Sequence, residues 1–172
     1  MKILVLGAAG AGKTTAVRAA SEIAPVRTDA GATTAALDFG RVSLGPRRLY
    51  LFGAPGQSRF WFRWPDLVQG ADVALVVVDS RRITDAYPVL DAVEGLRMPF
   101  AIGVNCFDGL LGRPLPDVRW ALTVRDGVLV HPFDARSVES VRELLGHVAR
   151  VGTGETAEPA TLVDGPRAAS TL

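Results

Sequence analysis

Short apolar runs alternate with stretches of helical spacing along most of the chain. Lys2 to Leu6 favours a strand and ends in glycines, and Lys13 to Ile23 then has few helix breakers. Val42, Leu44, Leu49, Leu51 and Phe52 flank the turn pair Gly45-Pro46, so Gly40 to Gly53 predicts a hairpin. Ala71 to Val78 is almost continuously apolar, as in a strand covered on both faces, and closes at Asp79 and Ser80. Helical spacing resumes from Thr84 to Leu96, and a strand-like run follows from Pro99 to Cys106. Beyond the loop around Pro114 and Pro116, the pattern predicts a short helix near Val118 to Val124 and a strand from Val128 to Phe133. Ser137 caps a last helix whose buried stripe is Val141, Leu144, Leu145 and Val148, ending near Arg150.

This alternation predicts an α/β domain of three layers over residues 1–150. The sheet is mostly parallel with one antiparallel hairpin strand, and helices cover both faces. Residues 151–172 shift to Gly, Thr, Glu, Pro and Ala without period, too little apolar surface to offset the entropy of ordering, and are expected to form a disordered tail. A length of 172 residues with 48% hydrophobic composition suits one domain. The net charge of +1, with arginines scattered, offers no basic block for nucleic acid or an anionic membrane. A single cysteine, Cys106, excludes an intramolecular disulfide and suits a reducing cytoplasm. No apolar stretch approaches the roughly 20 residues of a membrane span, and neither Lys2 nor the cysteine-free end at Ala168 to Leu172 encodes a lipid anchor. Membrane association is expected only through a partner complex.

The chemistry concentrates first in Gly7, Ala8, Ala9, Gly10, Ala11, Gly12, Lys13 and Thr14, which match Gly-x-x-x-x-Gly-Lys-Ser/Thr between a predicted strand and a predicted helix. Glycines let the backbone curl so that successive N–H groups point at phosphate oxygens, and the helix adds its positive end. Lys13 supplies a compact mobile charge, Thr14 a hydroxyl ligand for Mg²⁺, and Thr15 completes the nucleotide-binding set. The chain has only two lysines, Lys2 and Lys13, among many arginines, and a planar guanidinium cannot replace an ammonium between two phosphates.

Further along, Leu51-Phe52-Gly53-Ala54-Pro55-Gly56-Gln57 resembles the Asp-x-x-Gly-Gln switch of Ras-like GTPases. With Thr33, Thr34 and the Asp38-Phe39-Gly40-Arg41 block, the chain resembles the small GTPases of bacterial conservon operons and the gliding-motility GTPases over roughly residues 1–150. The resemblance implies a three-layer P-loop fold of the Ras-like kind binding GTP and GDP with Mg²⁺. It implies Thr34 at the metal and the γ-phosphate, the Gly56 amide sensing that phosphate, and Gln57 orienting the attacking water, so that Lys13, Thr34 and Gln57 carry the hydrolysis. Asn105 and Asp108 stand for Asn-Lys-x-Asp, with Asp108 on the guanine edge, and Ala135 and Arg136 for the last guanine loop.

Three positions depart from that pattern. Gly53 stands where the family has its metal aspartate, so that magnesium is held either less tightly or through Asp38 or Asp79; Cys106 replaces the lysine packed over the nucleotide; and Thr33, not arginine, precedes Thr34. The last departure implies slow hydrolysis alone. Several readings stay open: Gln57 as a turn polar group, Asp108 as a loop cap, Asp79 as a strand-end residue or an ATPase-type metal aspartate. Phe60, Trp61, Phe62 and Trp64, with Arg59 and Arg63, form either an aromatic anchor for the second helix or a nucleotide-dependent surface, whose partner by resemblance is a roadblock-type protein. His131 and His147 look isolated and receive no role. The function classes are thus a GTP-driven switch, an ATP-dependent enzyme of the small-molecule kinase type built on Asp79, and a pseudo-GTPase that binds without turnover.

Overall fold

A computed structural model of the chain describes residues 1–24, 38–57, 64–107 and 109–155. Six strands form one sheet: β1 Lys2–Gly7, β2 Asp38–Leu44, β3 Arg47–Gly53, β4 Val73–Asp79, β5 Phe100–Asn105 and β6 Val130–Phe133. Their spatial order is β2-β3-β1-β4-β5-β6, with β2 antiparallel to β3 and every other pair parallel. The helices are α1 Lys13–Ala20, α2 Trp64–Val68, α3 Tyr87–Gly95, α4 Leu115–Ala121 and α5 Val138–Gly152, and a 3₁₀ turn at Ile83–Ala86 leads into α3. The expected mixed sheet covered on both faces is the observed one.

Side-chain alternation splits the core in two. In β1, Ile3 and Val5 face α1 and α5, while Leu4 and Leu6 face the α2, α3 and α4 side. β4 is buried along its whole length, as its unbroken apolar run required, because both layers cover it. α5 seats Val141, Leu144, Leu145 and Val148 on the sheet, and its N-cap Ser137 accepts from the Ser140 amide at 3.2 Å.

The differences from expectation lie at element ends. α1 stops at Ala20, where Ser21 turns extended. α4 begins three residues earlier than its apolar pattern suggested, because Pro114 and Pro116 set the first-turn dihedrals rather than blocking it. α5 runs two residues past Arg150: Val151 packs on the core, and Gly152 lies so close to Val73 that a Cβ there would stand 3.0 Å from Cγ1. Glu155 then pairs with Arg47 at 3.1 Å. The rest of the expected tail, 156–172, lies outside the described residues.

Two tethers fasten the flanking elements. Lys2, the lysine outside the phosphate motif, donates Nζ to the carbonyls of Leu67 and Gln69 at 2.7 Å each, closing the end of α2. Residues 21 and 22 lie along the outer side of β2, where the Glu22 amide donates to Arg41 O at 2.8 Å and the Ser43 amide to Glu22 Oε1 at 2.8 Å.

Candidate functional site: a phosphate loop between two unlike walls

The sheet order places β1 between β3 and β4, so the loop after β1 opens at the point where the chain path reverses direction across the sheet. α1 begins there with no side-chain cap and no acidic residue in its first turn, its N-cap being Gly12 in the left-handed region at φ 109°. Its first amides are thereby left for an external anion. Gly12 is required twice over, by its dihedral and by space: a Cβ would stand 2.4 Å from Asn105 Nδ2.

Lys13 is 7% exposed and folds back over the loop, donating Nζ to Gly7 O at 2.9 Å and Ala8 O at 2.8 Å. Burial lowers its pKa from 10.5 to about 8, against the opposing field of Asp38. The ammonium thus rests on two carbonyls that a polyphosphate can replace with stronger, charged acceptors.

The β5–β6 wall is fastened to this loop by Asn105, which is 2% exposed. Its Nδ2 donates to Ala11 O at 3.0 Å, and its Oδ1 accepts from the Ala135 amide at 3.0 Å. One side chain therefore ties the phosphate loop to the loop after β6. Its own carbonyl accepts from the fully buried Ser80 hydroxyl at 3.1 Å, and Ser80 Oγ accepts in turn from the Gly112 amide at 3.1 Å. In the expected guanine loop, the Ala135 amide is engaged with Asn105, and Arg136 pairs through Nε with Asp134 Oδ1 at 3.3 Å. Cys106 is half-buried, its thiol pKa raised by burial and by Asp134. The Arg81 guanidinium stacks 3.4 Å over Phe107, a contact no sequence pattern signalled.

On the other wall, Gly53 and Asp38 face each other across the β2–β3 ladder. A Cβ on Gly53 would stand 3.0 Å from Asp38 Cβ and 3.5 Å from its Oδ2, so the aspartate occupies the room that Gly53 leaves. The Thr14 hydroxyl donates to Asp38 Oδ2. Two hard oxygen atoms therefore meet at the start of α1, the donor type a magnesium ion takes. Asp79 serves otherwise: its Oδ1 accepts from the Arg81 amide at 2.9 Å and Nε at 3.1 Å, and its Oδ2 from Nη2 at 3.0 Å. Its burial, which opposes ionisation, is outweighed by these bonds, and its pKa lies below the usual carboxylate value.

Gly56 packs against the phosphate loop, where a Cβ would come within 2.6 Å of Lys13 Nζ and 2.7 Å of the Ala9 nitrogen, and Gln57 beside it is exposed. Thr33, Thr34 and Asp108 lie outside the described residues, as do Arg59, Phe60, Trp61, Phe62 and Arg63. Trp64 is described and 2% exposed, packed in the α2, α3 and α4 core, so this member of the aromatic cluster is an anchor. His131 and His147 are not isolated: their ring centroids stand 4.7 Å apart, because β6 and α5 bring distant positions together.

A family described as "Conserved hypothetical ATP binding protein" matches residues 28–157. The chain belongs to this family. The matched stretch begins after the Gly7 to Thr14 loop, so the family and the loop geometry are separate observations. Uncharacterized protein MJ1339 of Methanocaldococcus jannaschii is 32% identical over 110 residues, 63% of this chain and 71% of that protein. Among solved structures, the G domain of the T. maritima FeoB iron transporter aligns with a TM-score of 0.70 at 18% identity, covering 88% of this chain and 98% of that one. The Arl6 BBS3 small GTPase from Trypanosoma brucei, with a bound nucleotide analogue, gives 0.68 at 15% identity, over 90% and 98%. The FeoB G-domain from Methanococcus jannaschii gives 0.67 at 16%, over 88% and 97%. The fold is that of P-loop GTPase domains. Among the described residues, no helix is long and apolar enough to cross a membrane.

Proposed function

We propose that the chain is a GTP-binding switch that hydrolyses GTP slowly to GDP and phosphate. The observation that carries this reading is the Asn105 clamp, which joins the phosphate loop to the loop after β6 on a sheet of GTPase order. Such a clamp presents a base-reading segment at a fixed distance from the phosphates, and Asp108, two residues beyond Cys106, is the proposed reader of the guanine edge. The conservon and gliding-motility likeness, through Gly56-Gln57 and the Asp38 block, supports the same reading.

Magnesium fits the Thr14 and Asp38 oxygens, with Thr34 as the proposed third protein ligand; when bound it would neutralise charge on the phosphates. Asp38 takes over from across the hairpin the duty that Gly53 cannot perform. Lys13 leaves the Gly7 and Ala8 carbonyls for the phosphate oxygens. Gly56 withdraws from Lys13 and Ala9 to admit a γ-phosphate, and that displacement is the switching event, which carries Gln57 toward the attacking water. The segment from Gln57 to Arg63, with the buried Trp64 as its anchor, is the proposed docking surface for a roadblock-type partner, by which any membrane association would come.

The family description favours a second reading, ATP as the bound nucleotide. An enzyme built on Asp79 is disfavoured by that residue's full engagement with Arg81. Competition of fluorescent GDP with GTP, GDP, ATP and ADP tests the choice. Displacement by guanine nucleotides alone is the expected result, and equal displacement by ATP would replace the first reading by the second. Single-turnover phosphate release then separates a slow GTPase from a protein that binds without turnover.

A further inference from the structure

The two histidines of this chain meet with tilted rings on the sheet margin, beside a glutamate one helical turn from one of them. We propose that His131, Glu143 and His147 form a binding site for a transition-metal dication, zinc first, remote from the phosphate loop. One ligand atom from each residue lies within 4.8 Å of those of the other two. Tetrahedral zinc with bonds of about 2.0–2.1 Å needs ligand atoms near 3.4 Å apart, so the site must close by roughly 1.5 Å. The residues that must move are able to: Glu143 is 62% exposed and His147 half-buried, while the least mobile one, His131, is held at 10% exposure on β6.

The spacing has a structural cause. Glu143 and His147 are four residues apart on α5 and share one face. β6 is the edge strand, and His131 points to the α5 side, as does Phe133 two residues on. His131 directs Nε2 at Glu143 Oε1 across 4.0 Å, and its Nδ1 is buried without a hydrogen-bond partner. On the other ring, Arg150 contacts Nδ1 of His147, which marks a lone pair there. Arg150 is exposed in the last turn of α5 and can swing into solvent when a metal claims that nitrogen.

Electrostatics agree with this geometry. Burial and the neighbouring His147 hold the His131 pKa below its ordinary value, against the pull of Glu143, and burial and Arg150 do the same to His147. Both rings are therefore neutral near pH 7, the form that coordinates metal. Two imidazoles and one carboxylate, with water in the fourth position, are a donor set zinc accepts.

The test is a zinc titration of the full chain, stripped of metal, against a chromogenic chelator, with cobalt absorption as a second readout. One equivalent of zinc bound, with a tetrahedral cobalt spectrum, is expected. His147→Gln and Glu143→Gln, which sit outside the buried stripe of α5, should each weaken binding at least tenfold. Asp38→Ala and Cys106→Ser should leave it unchanged, since neither residue belongs to the site. Absence of stoichiometric binding, or wild-type affinity in both α5 variants, would overturn the proposal, as would loss confined to Asp38→Ala or Cys106→Ser.

Discussion

The two walls of the phosphate loop are built on opposite principles. On the β5–β6 side, Asn105 is buried and makes two 3.0 Å hydrogen bonds, with the fully buried Ser80 behind it. On the β2–β3 side, the corresponding polar group, Asp38, stands on a strand end in the room that Gly53 leaves. The first wall fixes a distance, and a change to it breaks bonds that water cannot replace. The second brings two facing residues to the same place by antiparallel pairing, so the proposed metal-holding group can stand on either.

Substitutions sharpen the contrast. Lys13→Ala removes the charge folded over the loop and should weaken nucleotide binding more than 100-fold in a calorimetric titration; affinity within a few-fold of wild type would refute the phosphate assignment. Asn105→Ala leaves Ala11 O and the Ala135 N–H buried and unpaired, at about 1–3 kcal/mol for each group, so urea unfolding should show a loss of about 2 kcal/mol or more. On the other wall, Asp38→Ala should reduce magnesium-dependent nucleotide affinity at least about tenfold, since loss of a proposed direct ligand costs no less than loss of an outer-shell partner. The double variant Asp38→Ala, Gly53→Asp should restore most of that loss, and failure of the rescue would mean the two positions are not interchangeable.

The smallest effect expected is that of pH. Lys13 has a pKa of about 8 in the empty protein, below its ordinary 10.5, so between those values the folded chain binds fewer protons than the unfolded one. Stability of the empty protein should therefore rise as pH increases from about 8 to 10.5. Nucleotide needs the charged form, and its affinity should fall across the same window, with proton uptake near pH 8 visible as a dependence of binding heat on buffer.

Much of this was legible in the chain beforehand. The fold followed from alternation, with runs such as Val73 to Val78 read as strands covered on both faces, and the turn between β1 and α1 followed from the glycines of Gly7 to Gly12. Element ends were less legible: Pro114 and Pro116 look like breakers and instead open α4. The sequence could not separate Asp38 from Asp79 as candidates for the proposed metal site, because pairing across a hairpin and the Asp79 bond to Arg81 are facts of space. Ser80 and the Arg81–Phe107 stack carried no motif, and His131 and His147 looked solitary because 16 positions of chain hide a 4.7 Å separation.

The Ser21–Glu22 segment has a consequence for how another molecule could recognise this one. With Arg41 O and the Ser43 amide both taken by Glu22, the outermost strand has no free hydrogen-bonding rung at its middle. A visiting polypeptide cannot extend the sheet there by adding a strand of its own. Recognition on that flank must read side chains, which frees it to discriminate by shape and charge instead of by backbone.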